Sequence, residues 1–184
     1  MVTSALIVVL GLALVVTAVG FFLPSRVLVE RARVIALPVE KIFPWVAELK
    51  RWPEWTVWNA AEDATLRYSY PAATTGLAAA MHWTAEKLGD GSLIFSEFAP
   101  NKTLRYELRM PAHNTIVHGN IEFESAGGGA TRVDWYDEVE LGANPYKKLF
   151  GPVLKRMLGR AFERSLAGLE TAAMTGRAAG PGPK

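Results

Sequence analysis

A long apolar stripe near the C-terminus constrains the fold more than any other part of the sequence. Between residues 145 and 174, apolar side chains recur at steps of three and four, which places them on one broad face of an α-helix. Asn144 suits the N-cap and Pro145 the first helical position. Because Pro152 cannot donate a hydrogen bond to the carbonyl four residues earlier, we expect a kink there, or a second helix that begins at Pro152. The stripe consists of Tyr146, Leu149, Phe150, Val153, Leu154, Met157, Leu158, Ala161, Phe162, Ser165, Leu166, Leu169 and Ala173.

Strand-like segments fill most of the chain between residues 27 and 141 and can supply the surface against which such a helix must pack. The first, at residues 27–37, is rich in β-branched residues and ends at Pro38, after which residues 39–49 have helical spacing. We therefore predict an α+β fold in which about seven antiparallel strands form a curved sheet around the C-terminal helix. The six further strands, separated by Gly, Pro and Asn turns, are predicted at 64–70, 77–85, 92–98, 103–110, 115–125 and 131–141.

The N-terminal segment is uniformly apolar. Residues 2–23 contain no charged residue, and a helix of that length can cross a hydrocarbon core of roughly 30 Å. A cleaved secretory signal is the alternative, with Ala18-Val19-Gly20 as its processing site. However, no basic residue precedes the apolar run, and the run is long for a signal. We therefore predict a single transmembrane anchor at residues 1–24.

The charges that flank this segment predict its orientation. Arg26, Arg31, Arg33 and Lys41 follow the apolar run, and no Lys or Arg precedes it. By the positive-inside rule, the protein is a single-pass membrane protein whose C-terminal domain, residues 25–174, lies in the cytoplasm close to the bilayer. Residues 175–184 are predicted to form a disordered tail.

Composition excludes several functional classes. The 20 Lys and Arg residues nearly balance the 18 Asp and Glu residues, for a net charge of +2, so no nucleic-acid partner is predicted. The chain has no cysteine, which rules out disulfides and thiolate catalysis. Its three histidines have no paired spacing and no glycine-rich phosphate loop is present, so we predict neither a metal nor a cofactor.

Several motifs resemble those of a known superfamily. Residues 38–49 and the segment Arg51-Trp52-Pro53-Glu54-Trp55 are similar to the opening of SRPBCC proteins, which include START-like lipid carriers, pollen-allergen-like proteins and the polyketide cyclase/dehydrase group. Gly119-x-Ile121-x-Phe123 and Thr131-x-Val133-x-Trp135 add to the resemblance, which covers about residues 27–172. It implies a helix-grip fold, in which the sheet and the long helix enclose an elongated apolar cavity. The leading apolar segment departs from the typical soluble member.

Strand alternation indicates which residues would line such a cavity. In the last strand Asp137 shares a face with Val133, Trp135 and Val139. A buried carboxyl there is explained either by a bulge or a strand-end partner, or by a role as ligand anchor or acid/base. Alternation does not decide whether Glu97 points inward, where it could share a ligand with Asp137. The predicted ligand-binding residues are Trp83, Glu97, Tyr106, Leu108, Ile121, Phe123, Trp135, Asp137 and Met157.

A dense aromatic segment lies between residues 51 and 58. Trp52, Trp55 and Trp58 either plug the end of the sheet or form a lid or membrane-facing lip, since tryptophan favours the bilayer interface.

Three functions remain open at this stage. The first is membrane-anchored binding of a hydrophobic ligand that is lipid-like, isoprenoid-like or polyketide-like. The second is a cyclase or dehydratase that uses Asp137, assisted by Tyr106 or Glu97, as acid/base on an apolar substrate. The third is a membrane-tethered interaction module whose interior is filled, and a closed interior without a void would favour it.

Overall fold

A computed structural model of the chain describes residues 2–176, except for some side chains in the N-terminal helix and that of His113. The predicted disordered tail comprises residues 175–184. Residues 177–184 of this tail lie outside the described residues. The chain begins with helix α1 (Val2–Phe22), which leads directly into strand β1 (Arg26–Ile35). Helix α2 (Val39–Ala47), a single 3₁₀ turn (Leu49–Arg51) and the short helix α3 (Trp52–Trp55) follow. Among the residues that are described, no helix is long and apolar enough to cross a membrane.

Within residues 2–176, seven antiparallel strands form one sheet, as the sequence predicts. Its order is β1-β7-β6-β5-β4-β3-β2, so the last six strands form a meander and β1 pairs with the final strand. The predicted strands at 64–70 and 77–85 are shorter than expected, because turns take up their ends. The strands after β1 are β2 (Arg67–Ser69), β3 (Ala80–Thr84), β4 (Gly91–Ala99), β5 (Thr103–Met110), β6 (Thr115–Gly127) and β7 (Ala130–Glu140).

The C-terminal helix α4 (Pro145–Thr175) runs without interruption, so the alternative of two helices divided at Pro152 is wrong. Pro152 lies in the second turn, where its missing N–H leaves only the carbonyl of Lys148 without its intrahelical donor. The side chain of Asn144 caps the N-terminus by accepting hydrogen bonds from the N–H groups of Tyr146 and Lys147. Gly176, with a φ of +66°, ends the helix.

The second half of the predicted stripe lies in the grip of the sheet, and from the first half Leu154 and Leu158 pack against the sheet as well. Phe162, Ser165, Leu166 and Leu169 of α4 are buried in the core. In the first half, the apolar residues at 146, 150, 153 and 157 have exposed fractions between 51% and 61%. Met157 therefore does not line the interior, which corrects its assignment as a ligand-binding residue. The error arises because the apolar stripe includes both side chains that pack against the sheet and side chains that are exposed outside it.

Candidate ligand-binding site

A carboxyl group lies on the inner face of the sheet at Asp137. The register of β7 is continuous past this residue on both sides, with Gly119 of β6 and Val29 of β1 as its neighbours. Asp137 is therefore not at a bulge, and its side chain follows the inward alternation that the sequence predicts. With an exposed fraction of 6%, it is one of the few charged residues in the core.

Two aromatic side chains complete a hydrogen-bonded chain with this carboxyl. The hydroxyl of Tyr106 on β5 donates to Oδ1 of Asp137 at 2.6 Å. The indole N–H of Trp135 donates to the same hydroxyl oxygen at 2.8 Å. Because an indole nitrogen can only donate, the tyrosine proton is directed towards the carboxyl. Tyr106 thus accepts one hydrogen bond and donates the other.

Gly119 makes this arrangement possible. A Cβ atom at residue 119 would lie 2.0 Å from a ring carbon of Tyr106. The tyrosine ring therefore lies across the backbone of β6 and reaches Asp137 on the strand beyond. In the sequence Gly119 stands out only as part of the motif Gly119-x-Ile121-x-Phe123, but a glycine inside a strand is the signal for such a close approach.

Burial controls the protonation of the pair. Loss of water raises the pKa of Asp137 from its ordinary value of 3.8 to about 7, although the hydrogen bond from Tyr106 and the nearby indole N–H of Trp135 act in the opposite direction. Burial, and then the nearby carboxylate, raise the pKa of Tyr106 well above its usual value. Near neutral pH, Asp137 can therefore exchange a proton while Tyr106 keeps its own.

Glu97 does not join the site, which corrects the prediction that it could share a ligand with Asp137. A β-bulge between Phe95 and Glu97 shifts the alternation of β4 by one residue. Phe98 therefore turns inward and contacts the ring of Phe43, with 5.5 Å between ring centroids. Glu97 lies half-exposed and forms an ion pair with Arg105 at 3.3 Å.

The remaining predicted lining residues divide into two groups. Ile121, Phe123 and Trp135 are buried in the core, and Trp135 is itself part of the hydrogen-bonded chain. Trp83 and Leu108 are only partly buried and pack against the edge of that core. Among the described residues, no group of three His, Asp or Glu side chains converges in a way that could hold a metal ion.

Trp52 and Trp55 are interior residues, so the structure contradicts a membrane-facing lip at these two positions. Their indole N–H groups donate to the backbone carbonyls of Val46 and Trp45, at 2.9 and 3.0 Å. These bonds satisfy the polar edge of each ring and allow the rest of it to be buried. Trp58 is partly buried.

The aromatic rings fill the space between sheet and helix. Trp135 stacks on Phe162 of α4 with 4.2 Å between centroids, and Trp52, Trp55 and Trp58 each contact Trp135 at 5.5 to 6.4 Å. We call the residues Trp52, Trp55, Trp58, Trp135 and Phe162 the aromatic plug. A ligand that packs beside Trp135 would have to displace part of this plug.

Two depressions in the described surface lie elsewhere. One, of about 370 Å³, is open to solvent between β1 and Lys155. The other, of about 410 Å³, is open beside Arg26 and Lys148. Neither contains Asp137 or Tyr106.

The family of the chain follows from the sheet, the gripping helix and a match to known families. Residues 26–174 match the family described as "Polyketide cyclase / dehydrase and lipid transport". The chain belongs to this family, and thus to the SRPBCC superfamily with its START-like, helix-grip architecture, as the motifs predict. The family suggests binding of a hydrophobic ligand or cyclase chemistry. No curated protein matches the chain.

Solved structures support the same fold. A START superfamily protein from Mycobacterium smegmatis is 18% identical, with a TM-score of 0.58 over 80% of this chain and 97% of that one. A hypothetical protein from Helicobacter pylori, jhp0584, is 11% identical, with a TM-score of 0.62 over 79% of this chain and 87% of that one. The protein TTHA0849 from Thermus thermophilus is 18% identical, with a TM-score of 0.58 over 81% of this chain and 98% of that one. At these identities the likeness establishes the fold alone.

Proposed function

We propose that the protein is attached to a membrane and binds a hydrophobic molecule between its sheet and α4, with a polar group of that molecule hydrogen-bonded to Asp137. The observation that carries the proposal is the buried Trp135, Tyr106 and Asp137 chain. A carboxyl in an apolar interior is costly to keep, and groups with strongly shifted pKa values concentrate at functional sites. The family, which includes lipid transport in its description, supports a hydrophobic ligand.

The site chemistry suits an apolar molecule that carries one hydroxyl or carbonyl. Below its pKa of about 7 Asp137 can donate a hydrogen bond to such a group, and above it the carboxylate can accept one. The surrounding aromatic surface would bury the rest of the molecule. A lipid-like, isoprenoid-like or polyketide-like compound meets these requirements.

Entry requires the segment at residues 52–58 to open. This segment is fastened to α4 by the N–H of Val57, which donates to Oγ of Ser165 at 3.1 Å. Gly168 allows close contact beside this bond, because a Cβ there would lie 2.3 Å from the carbonyl oxygen of Trp55. We infer that breaking these contacts moves Trp55 and Trp58 away from Trp135 and clears space above Asp137.

Membrane attachment through α1 completes the proposal. Residues 2–23 contain no charged residue, and the basic residues that follow favour a cytoplasmic domain. Only three residues separate α1 from β1, which would hold the domain close to the lipid from which a hydrophobic ligand would come.

The test is to recover the ligand from the complete chain. Full-length protein is purified in lipid nanodiscs that have been incubated with a bacterial lipid extract, and bound molecules are released and identified by mass spectrometry. We expect a hydrophobic compound that is depleted in Asp137→Asn and retained in Asp134→Asn, the matched control, since Asp134 lies on the opposite face of β7 and pairs with Arg132 at 2.7 Å. Equal recovery from both variants would refute the role of Asp137.

A second candidate is a cyclase or dehydratase, and the raised pKa of Asp137 specifically favours it. A carboxylate that titrates near pH 7 can remove a proton from an activated carbon and return it elsewhere. Tyr106, which keeps its proton, could donate a hydrogen bond to the oxygen that gains negative charge. Conversion of the recovered compound over time, lost in Asp137→Asn, would establish this activity.

The filled interior favours a third candidate, the interaction module. If the full-length protein carries no small molecule before or after incubation with the extract, the aromatic plug is a permanent core and the ligand-binding proposal fails.

A further inference from the structure

The first half of α4 carries an exposed apolar face. Tyr146, Phe150, Val153 and Met157 follow one another at steps of four, three and four, so they form one straight stripe on the helix. More than half of each residue is exposed, although these are large apolar or aromatic side chains. The stripe ends abruptly, since Arg164, which lies on the same face two turns beyond Met157, is charged.

Positive charge flanks this face. Residues 145–162 contain five basic residues and no acidic one. At 100° per residue, Lys147 falls on one side of the stripe and Arg156 and Arg160 fall on the other. The ion pairs among the described residues include neither Arg156 nor Arg160, and both are exposed. The basic residues are Lys147, Lys148, Lys155, Arg156 and Arg160.

The stripe also adjoins α1. The hydroxyl of Tyr146 lies 3.0 Å from that of Thr17, and a Cβ at Gly20 would lie 2.6 Å from the carbonyl oxygen of Pro145. The ammonium group of Lys148 donates to the carbonyl of Phe21 at 3.4 Å. The apolar face of α4 therefore begins where the exposed apolar side chains of α1, including Phe22, end.

We propose that the first half of α4 is an interfacial helix that lies on an anionic phospholipid surface. An apolar stripe bordered by Lys and Arg is the pattern of helices that bury one face at the boundary between headgroups and acyl chains. The basic border matches the negative charge of such a surface. Lipid contact would also explain why the apolar stripe is confined to the part of α4 that adjoins α1. The proposal rests on membrane attachment through α1, but it adds a second contact that α1 does not require.

This contact gives the domain a fixed orientation. The second half of the same helix forms the inner wall of the grip, and Ser165 fastens the segment that covers the interior. The first half of α4 would then lie on the lipid while its second half packs against the aromatic plug. Contact with the lipid would in this way be coupled to opening of the site.

The test uses single introduced cysteines, because the chain has none of its own. An environment-sensitive fluorophore is attached to Val153→Cys, to Leu14→Cys in α1, or to Thr171→Cys in full-length protein reconstituted in vesicles. Thr171 is the matched control, because it is exposed on the same face of α4 but about 27 Å further along the helix at 1.5 Å per residue. The vesicles contain phosphatidylcholine alone, or phosphatidylcholine and phosphatidylglycerol in equal parts, with quenchers carried on the acyl chains.

We expect the label at residue 153 to shift to the blue and to be quenched in the anionic vesicles, and the label at residue 171 to do neither. The double variant Arg156→Gln with Arg160→Gln should lower the equilibrium constant for binding of α4 to the lipid surface by roughly 25-fold, about fivefold for each charge. The matched variant Lys41→Gln with Lys102→Gln, which removes two exposed charges outside α4, should leave it unchanged.

Other outcomes separate the possible failures. Quenching at residue 14 but not at residue 153 would overturn the interfacial helix and leave membrane attachment intact. Absence of quenching at both positions would overturn both. A blue shift at residue 153 that appears in detergent and increases with protein concentration would overturn the proposal by identifying a second copy of the chain as the partner of the stripe.

Discussion

The ring of Tyr106 occupies the space that any side chain at residue 119 would need. The nearest approach of a Cβ there to the ring is 2.0 Å, well below a van der Waals contact. This relationship between two neighbouring strands allows the phenol to reach across β6 to Asp137. The hydrogen-bonded chain in the core therefore depends on the absence of a side chain at Gly119.

We predict that Gly119→Ala displaces Tyr106 and destabilises the protein by about 1 to 3 kcal/mol, the usual range for overpacking. Urea unfolding measures the loss. If the clash with the ring is the cause, the same substitution should cost much less in a Tyr106→Leu background. An equal cost in both backgrounds would mean that the ring is not the obstacle.

Asp137→Asn should change how stability depends on pH. The folded pKa is raised from 3.8 to about 7, so between these values the unfolded chain has lost a proton that the folded carboxyl keeps. The stability of the wild type therefore falls as the pH rises through this window. The free energy of unfolding of Asp137→Asn, relative to that of the wild type, should therefore rise by up to ~4 kcal/mol across this window, at about 1.4 kcal/mol per pKa unit. Above pH 7 the difference between the two proteins should be constant.

Chemical denaturation at several pH values measures this difference, with Asp134→Asn as the control. A constant difference between Asp137→Asn and the wild type across the window would show that Asp137 is not buried as a protonated group.

Asp63 should have the opposite effect. Its Oδ1 accepts hydrogen bonds from the N–H and hydroxyl of Thr65, and its Oδ2 from the N–H groups of Lys87 and Leu88. These bonds, above all that from the Thr65 hydroxyl, lower the pKa of Asp63 below its usual value. Its contribution to stability is complete above the ordinary value of 3.8 and is lost as the pH falls towards the lower folded pKa.

Asp63→Asn should therefore reduce the melting temperature at neutral pH, as measured by thermal unfolding. As the pH is lowered, the melting temperature of this variant should fall less than that of the wild type. Asp90→Asn is the control, since within residues 2–176 its side chain accepts one backbone hydrogen bond, from the N–H of Ala85. An equal effect of both substitutions would contradict a special role for Asp63.

Ser165→Ala should loosen the aromatic plug. The variant removes the acceptor of the Val57 N–H, a bond worth about 1 kcal/mol net, so exchange of that amide with deuterium should accelerate by about fivefold. Thr171→Ala, an exposed hydroxyl on the same helix, is the control. Unchanged exchange at Val57 would mean that the bond to Ser165 does not limit opening.

Periodicity predicted the architecture well, because each element buries one face. The strands alternate and α4 repeats at helical spacing, so the seven-stranded sheet and its gripping helix follow from the pattern. Asp137 was placed correctly for the same reason, since the register of β7 runs past it without a break.

The errors occur where a local event breaks the pattern. At Glu97 one extra residue in a bulge reverses the alternation, and neither Gly nor Pro marks it in the sequence. At Trp52 and Trp55 the sequence leaves a plug and a membrane-facing lip as alternatives. The short helix α3 turns both rings inward, where backbone carbonyls accept their N–H groups, so the plug is the alternative that holds. At Met157 the periodicity is correct, but it cannot distinguish a face that packs on the sheet from a face that lies outside it.

The infrared absorption of the Asp137 carboxyl shows whether this buried group is protonated and whether it contacts a ligand. The absorption is isolated by subtracting the spectrum of Asp137→Asn from that of the wild type, with full-length protein in nanodiscs titrated with and without lipid extract. We predict a protonated carboxyl below a pKa near 7, and an absorption that shifts when the extract supplies a ligand. A carboxylate that is fully ionised at pH 5, or a spectrum that the extract leaves unchanged, would contradict a ligand site at Asp137.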